Sequence, residues 1–130
     1  MAGVYKFSDR SRRNLIGVHP DLVRVMWRAI RITPIDFLIT EGLRTEAKQR
    51  QLVDAGASRT MRSRHLTGHA VDVAVLIGRE VRWDWPLYVQ LSRYVKEASV
   101  IESVPITWGG DWPKFRDGPH YELSRKHYPA

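Results

Sequence analysis

The sequence contains no cysteine among its 130 residues. This absence excludes disulfides, iron–sulfur clusters and cysteine-rich zinc sites, so any transition metal must be bound through nitrogen and oxygen atoms. The side chains left for that purpose are those of histidine, aspartate and glutamate. Because the chain has only five histidines, the surroundings of each one can be weighed individually.

Long hydrophobic runs are also missing from the sequence. No segment approaches the roughly 20 apolar residues of a membrane-spanning helix, and residues 1–8 lack the apolar core of a secretory signal. We therefore expect a protein that is made in the cytosol and does not insert into a membrane. If its substrate lies beyond the membrane, another agent must release the protein.

Acidic residues are scarce relative to basic ones, with 14 Asp and Glu against 21 Lys and Arg and a net charge of +7. Such a charge predicts an anionic partner, and nucleic acid, cell-wall polymers, lipopolysaccharide and anionic lipids would all satisfy it. No nucleic-acid motif such as a zinc finger is present, so we expect no specific nucleic acid partner. A basic binding module without catalysis, or a solvated basic surface, stays open as an alternative.

Length and local pattern indicate one compact domain over residues 1–130, which can bury about two-thirds of its unfolded surface. Helical and strand signals alternate along the chain, which predicts an α+β domain with a small, mainly antiparallel sheet. The predicted helices are 8–16, 21–33, 45–56 and 84–101, and the predicted strands are 37–40, a strand around Asp72, 80–83, 105–108 and a strand beginning at His120. The apolar stripe expected to face the core in the last helix comprises Leu87, Leu91, Tyr94, Val95, Ala98 and Ile101.

One carboxylate lies inside an apolar run, where an unpaired charge would be costly. Asp72 is flanked by apolar residues on both sides, and buried carboxylates persist when they pair with a cation or bind a metal. His65, seven residues earlier, and His120, at the start of another short apolar strand, offer two nitrogen ligands. Two histidines and one aspartate predict a zinc site with an open coordination position. A histidine beside a strand is also commonly structural, and His69 competes for the place of His65.

Three motifs together resemble a family of zinc peptidases that cleave peptidoglycan stem peptides. Residues 63–72 match S-x-H-x-x-G-x-A-x-D, residues 117–120 match D-x-x-H, and residues 108–112 spell WGGDW. The family includes D-Ala-D-Ala carboxypeptidases and dipeptidases, and the L-alanyl-D-glutamate endopeptidases used as bacteriophage endolysins. The resemblance covers nearly the whole chain. It implies a hedgehog/D-Ala-D-Ala metallopeptidase-like fold, with helices packed around a small antiparallel sheet.

The resemblance also implies roles for individual residues. The implied zinc ligands are His65, Asp72 and His120, the implied catalytic base is Asp117, and the implied substrate-binding residues are Arg44, Ser63 and Trp108, with Arg44 also stabilising developing charge. Three protein ligands leave zinc a position for water, and a carboxylate beside that water can move its proton. The alternatives left open are Asp117 as a turn cap, Arg44 as surface charge, Ser63 as a loop hydrogen-bonder and Trp108 or Trp112 as core, while Asp111 has no predicted role beyond the turn.

The function implied is that of a bacteriophage endolysin, a zinc-dependent endopeptidase that hydrolyses the L-alanyl-D-glutamate bond of the peptidoglycan stem peptide. The close alternative cuts the D-Ala-D-Ala end as a carboxypeptidase or dipeptidase, and a more distant one is a metal-binding domain without catalysis. We expect a monomer without a separate cell-wall-binding domain. The resemblance implies synthesis in the host bacterial cytoplasm and action on the periplasmic cell wall after a holin opens the inner membrane.

Overall fold

The computed structural model describes residues 5–129 as an α+β fold with a five-stranded antiparallel sheet. The helices are α1 (Asp9–Asn14), α2 (Pro20–Ile32), α3 (Glu46–Asp54) and α4 (Trp85–Glu102); the strands are β1 (Asp36–Glu41), β2 (Ala70–Ile77), β3 (Glu80–Arg82), β4 (Ile106–Trp108) and β5 (His120–Leu123). Two short 3₁₀ turns cover Arg64–Thr67 and Gly109–Asp111. The predicted fold class is confirmed. Residues 1–4, part of the segment from which cytosolic synthesis was predicted, lie outside the described residues, as does residue 130.

Strand β2 organises the sheet because it pairs with three neighbours. The strands follow the order β1-β2-β5-β4, and β3 also pairs with β2. In the β2–β5 register Asp72 lies directly opposite His120, and in the β1–β2 register it lies opposite Glu41, next to an irregularity after Ile39. Opposed residues on antiparallel strands bring their side chains within reach of one another. Register alone therefore places two of the predicted ligands side by side.

Two of the four helix starts follow the usual capping rules, and at α2 the cap is instead the His19 side chain, which accepts from the Asp21 N–H. The side chains of Ser8 and Thr45 accept hydrogen bonds from backbone N–H groups at the starts of α1 and α3, as expected of such residues. The start of α4 falls after Asp84 as predicted, but this side chain makes no capping bond. It accepts hydrogen bonds from Arg82 instead, so its role is an ion pair across the strand-to-helix turn.

The buried face of α4 differs from the predicted stripe. Leu91, Val95 and Ala98 are fully buried as expected, whereas Ile101 is 48% exposed. The residues buried along this helix are Tyr88, Leu91, Ser92, Val95, Ala98 and Ser99. The Tyr88 hydroxyl accepts a hydrogen bond from the backbone N–H of Val75 in β2 and donates one to the carbonyl of Arg82 in β3. These bonds orient the helix on the Tyr88 side.

A single hydrophobic cluster of buried residues extends from Phe7 to Leu123. Helix α2 packs against α4, α4 contacts β2 and β4, and α1 packs against β1. Helix α3 contributes little to this cluster, because its residues are exposed or half-buried apart from Gln49. Within residues 5–129 no helix is long and apolar enough to cross a membrane. The hydrophobic core thus supports the sheet, while α3 and its loop stand beside it.

Candidate metal centre

Three predicted ligands converge at one end of the sheet. His65 comes from the first 3₁₀ turn, Asp72 from β2 and His120 from β5, and one ligand atom from each lies within 4.8 Å of the others. The His65 Nε2 to Asp72 Oδ2 distance is 3.3 Å, and the His120 Nδ1 to Asp72 Oδ1 distance is 3.2 Å. Two imidazole nitrogens and one carboxylate oxygen are a donor set that suits a divalent transition metal. The structure therefore contains a group able to bind a metal ion.

The orientation of His65 is set by a backbone carbonyl. Its Nδ1 lies 2.9 Å from the Gly42 carbonyl oxygen, which can only accept, so Nδ1 carries a proton and Nε2 is the nitrogen that faces Asp72. A side chain at Gly42 would not fit, because a Cβ there would lie 2.0 Å from the Asn14 carbonyl oxygen. Glycine at this position lets the chain approach closely enough to orient His65.

His120 is turned the other way. Its Nδ1 faces Asp72, and its Nε2 lies 2.9 Å from Oε1 of Glu122, which is 3% exposed. Glu122 was not singled out from the sequence. The signal that could have found it is the alternation of strand residues, since positions two apart lie on the same face of a sheet. The two histidines thus offer different nitrogens to the same point.

The ionisation of the three groups is strongly coupled. Burial opposes a charge on Asp72, but hydrogen bonds from His120 and His65 outweigh it and hold the Asp72 pKa well below its usual range. Burial also opposes a charge on His120, yet Asp72 and Glu122 raise its pKa to about 9. In the metal-free protein His120 is therefore an imidazolium at neutral pH. A metal ion must displace that proton in order to bind.

Asp117 lies at the edge of this group on the loop before β5. Its backbone N–H donates to the Gly109 carbonyl, and its own carbonyl accepts from the His120 N–H. A Cβ at Gly109 would lie 2.4 Å from the Asp117 carbonyl oxygen, so glycine is needed for this close approach. Burial, and next the negative charge of Asp72, raise the pKa of the half-buried Asp117 side chain. A raised pKa improves a carboxylate as a proton acceptor near neutral pH.

Arg44 reaches the same place from the turn between β1 and α3. Its guanidinium donates to Glu41, to Gln49 Oε1 at 2.6 Å and to Ser63 Oγ at 3.4 Å. Nη2 lies 3.8 Å from Asp72 Oδ2, and the side chain is 9% exposed. Arg44 is therefore held in the cleft rather than on the surface, while the Ser63 hydroxyl also accepts the His65 backbone N–H as the cap of the 3₁₀ turn.

Gln49 is a site residue that the sequence analysis missed. It is fully buried in the otherwise polar helix α3. Besides accepting from Arg44, its side-chain amide donates to Ser58 Oγ at 2.8 Å and to the Thr60 carbonyl at 2.5 Å. No apolar periodicity or motif distinguishes this glutamine in the sequence. Its amide connects Arg44 to the loop that forms one side of the cleft.

The two tryptophans of the WGGDW segment have different surroundings. Trp108 is 5% exposed, donates its indole N–H to the Gly118 carbonyl and stacks on Trp85 with ring centroids 5.6 Å apart. Trp112 lines the cleft, with its ring 5.1 Å from that of His120. The position of Trp108 is that of a core residue, because its polar atom is satisfied internally. Of the two tryptophans, Trp112 rather than Trp108 therefore lines the cleft.

Two residues left without a firm role lie away from the metal-binding group. His69 Nδ1 lies 2.7 Å from Thr67 Oγ1, and its ring is 5.5 Å from that of His19. Asp111 forms an exposed ion pair with Lys96 at 2.7 Å. Neither belongs to the convergent set found within residues 5–129. Of the two neighbouring histidines, His65 and not His69 therefore belongs to the group able to bind a metal ion.

The convergent group opens into a cleft of about 560 Å³. Its basic lining residues are Arg44, Lys48, Arg62, Arg64 and Arg125, and its acidic ones are Glu41, Asp72, Asp117 and Glu122. Asp72 belongs to the group able to bind a metal ion and Asp117 adjoins it, and the remaining acids and the basic residues lie around these two carboxylates. A cleft of this composition suits a substrate that carries carboxylates.

A group able to bind a metal ion, next to a half-buried carboxylate in an open cleft, is typical of metallohydrolases, whose metal keeps one position free for water. More narrowly, the chain belongs to the phage L-alanyl-D-glutamate peptidase family, whose model matches residues 3–129. The resemblance found in the sequence is thereby confirmed.

Individual relatives agree with this assignment. The chain is 31% identical over 128 residues to the L-alanyl-D-glutamate peptidase of Escherichia phage T5, covering 95% of this chain and 93% of that protein. It is 40% identical over 94 residues to the L-alanyl-D-glutamate peptidase of Listeria phage A118, covering 72% of this chain but only 32% of the relative, so it matches about a third of that protein's length. The crystal structure of the Serratia marcescens L-Ala D-Glu endopeptidase ChiX superposes with a TM-score of 0.91 at 46% identity, covering 98% of this chain and 96% of ChiX.

Proposed function

We propose that the protein is a zinc-dependent peptidoglycan endopeptidase of the bacteriophage endolysin type, which hydrolyses the L-alanyl-D-glutamate bond of the stem peptide. The observation that carries the proposal is the convergence of His65, Asp72 and His120 in a cleft that also contains Asp117. Membership of the phage L-alanyl-D-glutamate peptidase family supports the choice of bond.

The donor set fits zinc in number and kind. One oxygen and two neutral imidazole nitrogens would hold the ion through Asp72, His65 and His120, and a fourth position would remain for water. A zinc ion held there would lower the pKa of a water molecule to about 7 and polarise the scissile carbonyl. Because His65 contacts the Gly42 carbonyl and His120 contacts Glu122 through their other ring nitrogens, the two ligand nitrogens already face Asp72 before an ion binds.

In this proposal Asp117 moves the proton. Its carboxylate accepts a proton from the attacking water and returns it to the leaving nitrogen, for which its raised pKa is suited. Arg44, restrained by Glu41 and Gln49, presents N–H donors toward the Asp72 side of the cleft. There it can stabilise the negative charge that develops on the carbonyl oxygen.

The charges in the cleft fit the residue on the leaving side of the bond. Glutamate carries two carboxyl groups, and a continuing stem peptide uses one of them, so the residue that supplies the scissile nitrogen also carries a free carboxylate. We assign its recognition to the exposed basic residues of the cleft, Lys48, Arg62 and Arg125. Trp112 and Ser63 complete the substrate-facing surface.

The proposal is tested by digesting purified peptidoglycan with the zinc-loaded protein and identifying the products by mass spectrometry. We expect stem peptides with a new D-glutamyl amino terminus. Protein stripped of metal with a chelator serves as the control and should release nothing. Release of D-alanine in place of these peptides would support the D-Ala-D-Ala carboxypeptidase or dipeptidase alternative, and intact stems with fully zinc-loaded protein would reject the peptidase altogether.

We further propose that residues 5–129 act as one catalytic unit and as a monomer, and that the protein lyses phage-infected bacteria after a holin releases it to the cell wall. The continuous core from Phe7 to Leu123 supports a single unit. Expression in a bacterial host with and without a coexpressed holin tests the setting, because lysis should require both. Sedimentation of the purified protein tests the monomer.

A further inference from the structure

Glu122 is a buried carboxylate that the proposed catalytic steps do not use. It is 3% exposed on β5, two residues after His120. Its Oε1 lies 2.9 Å from His120 Nε2. A carboxylate in such a position is costly unless it is hydrogen-bonded and paired with positive charge. The burial of Glu122 beside His120 therefore needs a functional explanation.

The geometry excludes Glu122 from direct contact with the metal. Asp72 faces the Nδ1 edge of the His120 ring at 3.2 Å, whereas Glu122 faces the Nε2 edge. The imidazole therefore stands between Glu122 and the point shared by the three ligands. Among residues 5–129 the convergent group contains His65, Asp72 and His120, without Glu122. Any effect of Glu122 on the metal must act through His120.

In each of the two proposed histidine ligands, the ring nitrogen that faces away from Asp72 contacts an oxygen acceptor, but the two acceptors differ in charge. His65 gives its Nδ1–H to the Gly42 backbone carbonyl, a neutral acceptor. His120 has an ionisable acceptor instead, whose second oxygen lies 3.3 Å from Arg125 Nε and 3.9 Å from Nη1 of the buried Arg64. These arginines stabilise the negative charge on Glu122 and keep it available as an acceptor.

We propose that Glu122 is a positioning residue for metal binding: it accepts the Nε2–H of His120 and so directs the Nδ1 lone pair at the metal. The contact fixes the tautomer and the ring orientation, and the negative charge increases the basicity of Nδ1 as a ligand. This inference rests on the proposed metal site. It assigns a function to Glu122 that is separate from substrate contact and from proton transfer.

The test compares zinc affinity, measured by isothermal calorimetry at one fixed pH, in the wild type and in Glu122→Ala and Glu122→Gln. Loss of such an outer partner lowers metal affinity by about 10- to 100-fold. We expect Ala near the upper end of that range. Gln should fall near the lower end, because its amide oxygen still accepts Nε2–H but carries no charge. Nitrogen NMR of the zinc-loaded proteins should show a protected His120 Nε2–H in the wild type and Gln, and faster exchange in Ala.

A matched control is Glu102→Gln, which removes another partly buried carboxylate paired with arginines, Arg24 and Arg28, outside the cleft. Its zinc affinity should equal that of the wild type. Wild-type affinity in a folded Glu122→Ala protein would overturn the inference while leaving the metal site intact. If the Ala variant does not fold, wild-type affinity in Glu122→Gln overturns it instead. A wild-type protein that binds no zinc would overturn the proposed function itself.

Discussion

The cleft has two sides built in different ways. The sheet side consists of β2 and β5 with the 3₁₀ turn before β2. The strands carry Asp72, His120 and Glu122, placed by antiparallel register, and the turn carries His65. The loop side consists of α3 with residues 55–63 and positions Arg44 through side-chain hydrogen bonds, above all those of Gln49. Backbone pairing thus determines the position of groups on one side, and a few side chains determine it on the other.

This difference separates two requirements of the proposed chemistry. Metal binding demands ligand positions accurate to a few tenths of an ångström, and the residues flanking Asp72, Val71 and Val73, are completely buried in a paired strand. Substrate binding tolerates more adjustment, and the loop side is more exposed. We therefore expect substitutions on the sheet side to weaken metal binding and activity together, and those on the loop side to reduce activity while metal binding persists.

The largest effect is expected for the ligands themselves. His65→Ala should lose zinc and reduce activity to that of the metal-free protein, because two ligands cannot hold the ion tightly. Zinc analysis of the purified variant and a peptidoglycan digestion assay measure both losses. His69→Ala is the matched control: its ring lies outside the ligand group, and the variant should retain zinc and activity. Loss of zinc from both variants would contradict the assignment.

The next largest effect separates proton transfer from metal binding. Asp117→Asn should lower kcat by about 10²- to 10⁴-fold, the usual contribution of a general base, with zinc still bound. Asp111→Asn, in the same loop region but paired on the surface with Lys96, should remain active. Steady-state kinetics with zinc analysis measures the two variants. Full activity in a zinc-loaded Asp117→Asn protein would remove Asp117 from the mechanism.

A moderate effect is expected on the loop side. Gln49→Ala removes the shortest hydrogen bonds of the Thr60 carbonyl and of Arg44 Nη1 and leaves them only the longer ones to Ser58 at 3.5 Å and to Ser63 at 3.4 Å. This loss should lower the free energy of unfolding by about 1–3 kcal/mol and reduce kcat/KM. Zinc affinity should be unchanged. Gln51→Ala, at an exposed position of the same helix, should change stability by less than about 0.5 kcal/mol. If Gln49→Ala weakened zinc binding as much as Glu122→Ala, the two sides of the cleft would not be independent.

The smallest effect concerns pH. The metal-free protein gains stability from protonated His120, because its pKa of about 9 in the folded protein exceeds the ordinary histidine value of 6.5. This gain in stability is complete below pH 6.5 and is lost as the pH rises through 9. Zinc requires the deprotonated ring, so its stabilising effect increases over the same interval. The difference in Tm between the zinc-loaded and the zinc-free protein should therefore increase as the pH rises from 6.5 to 9. A constant difference would contradict the ion pair between His120 and Asp72.

The sequence predicted the sheet-side ligands more completely than the loop side. An acid inside an apolar run and histidines beside short strands are local signals, and β2 and β5 formed where those signals lie. Gln49 carries no such signal, because a glutamine in a polar helix is ordinarily exposed. The predicted burial of Ile101 was wrong for a related reason: the local apolar pattern does not show that a hydrogen bond between the Val75 N–H of β2 and the Tyr88 hydroxyl holds the Tyr88 face of α4 against the sheet.

By itself, the sequence determined the element types, the nitrogen and oxygen chemistry forced by the absence of cysteine, and the residues that supply the metal-binding group. These properties follow from local composition and from motifs a few residues long. Only the tertiary structure decided which nitrogen of each histidine faces the shared point, that Trp112 rather than Trp108 lines the cleft, and that Glu122 supports His120. The orientation of the histidine rings depends on the close approach of segments far apart in the chain, as between Asp72 and His120, which are 48 residues apart. Glu122 lies only two residues from His120, so there the tertiary structure decides the burial of the carboxylate rather than its proximity. Packing and strand register, rather than local preference, create such contacts.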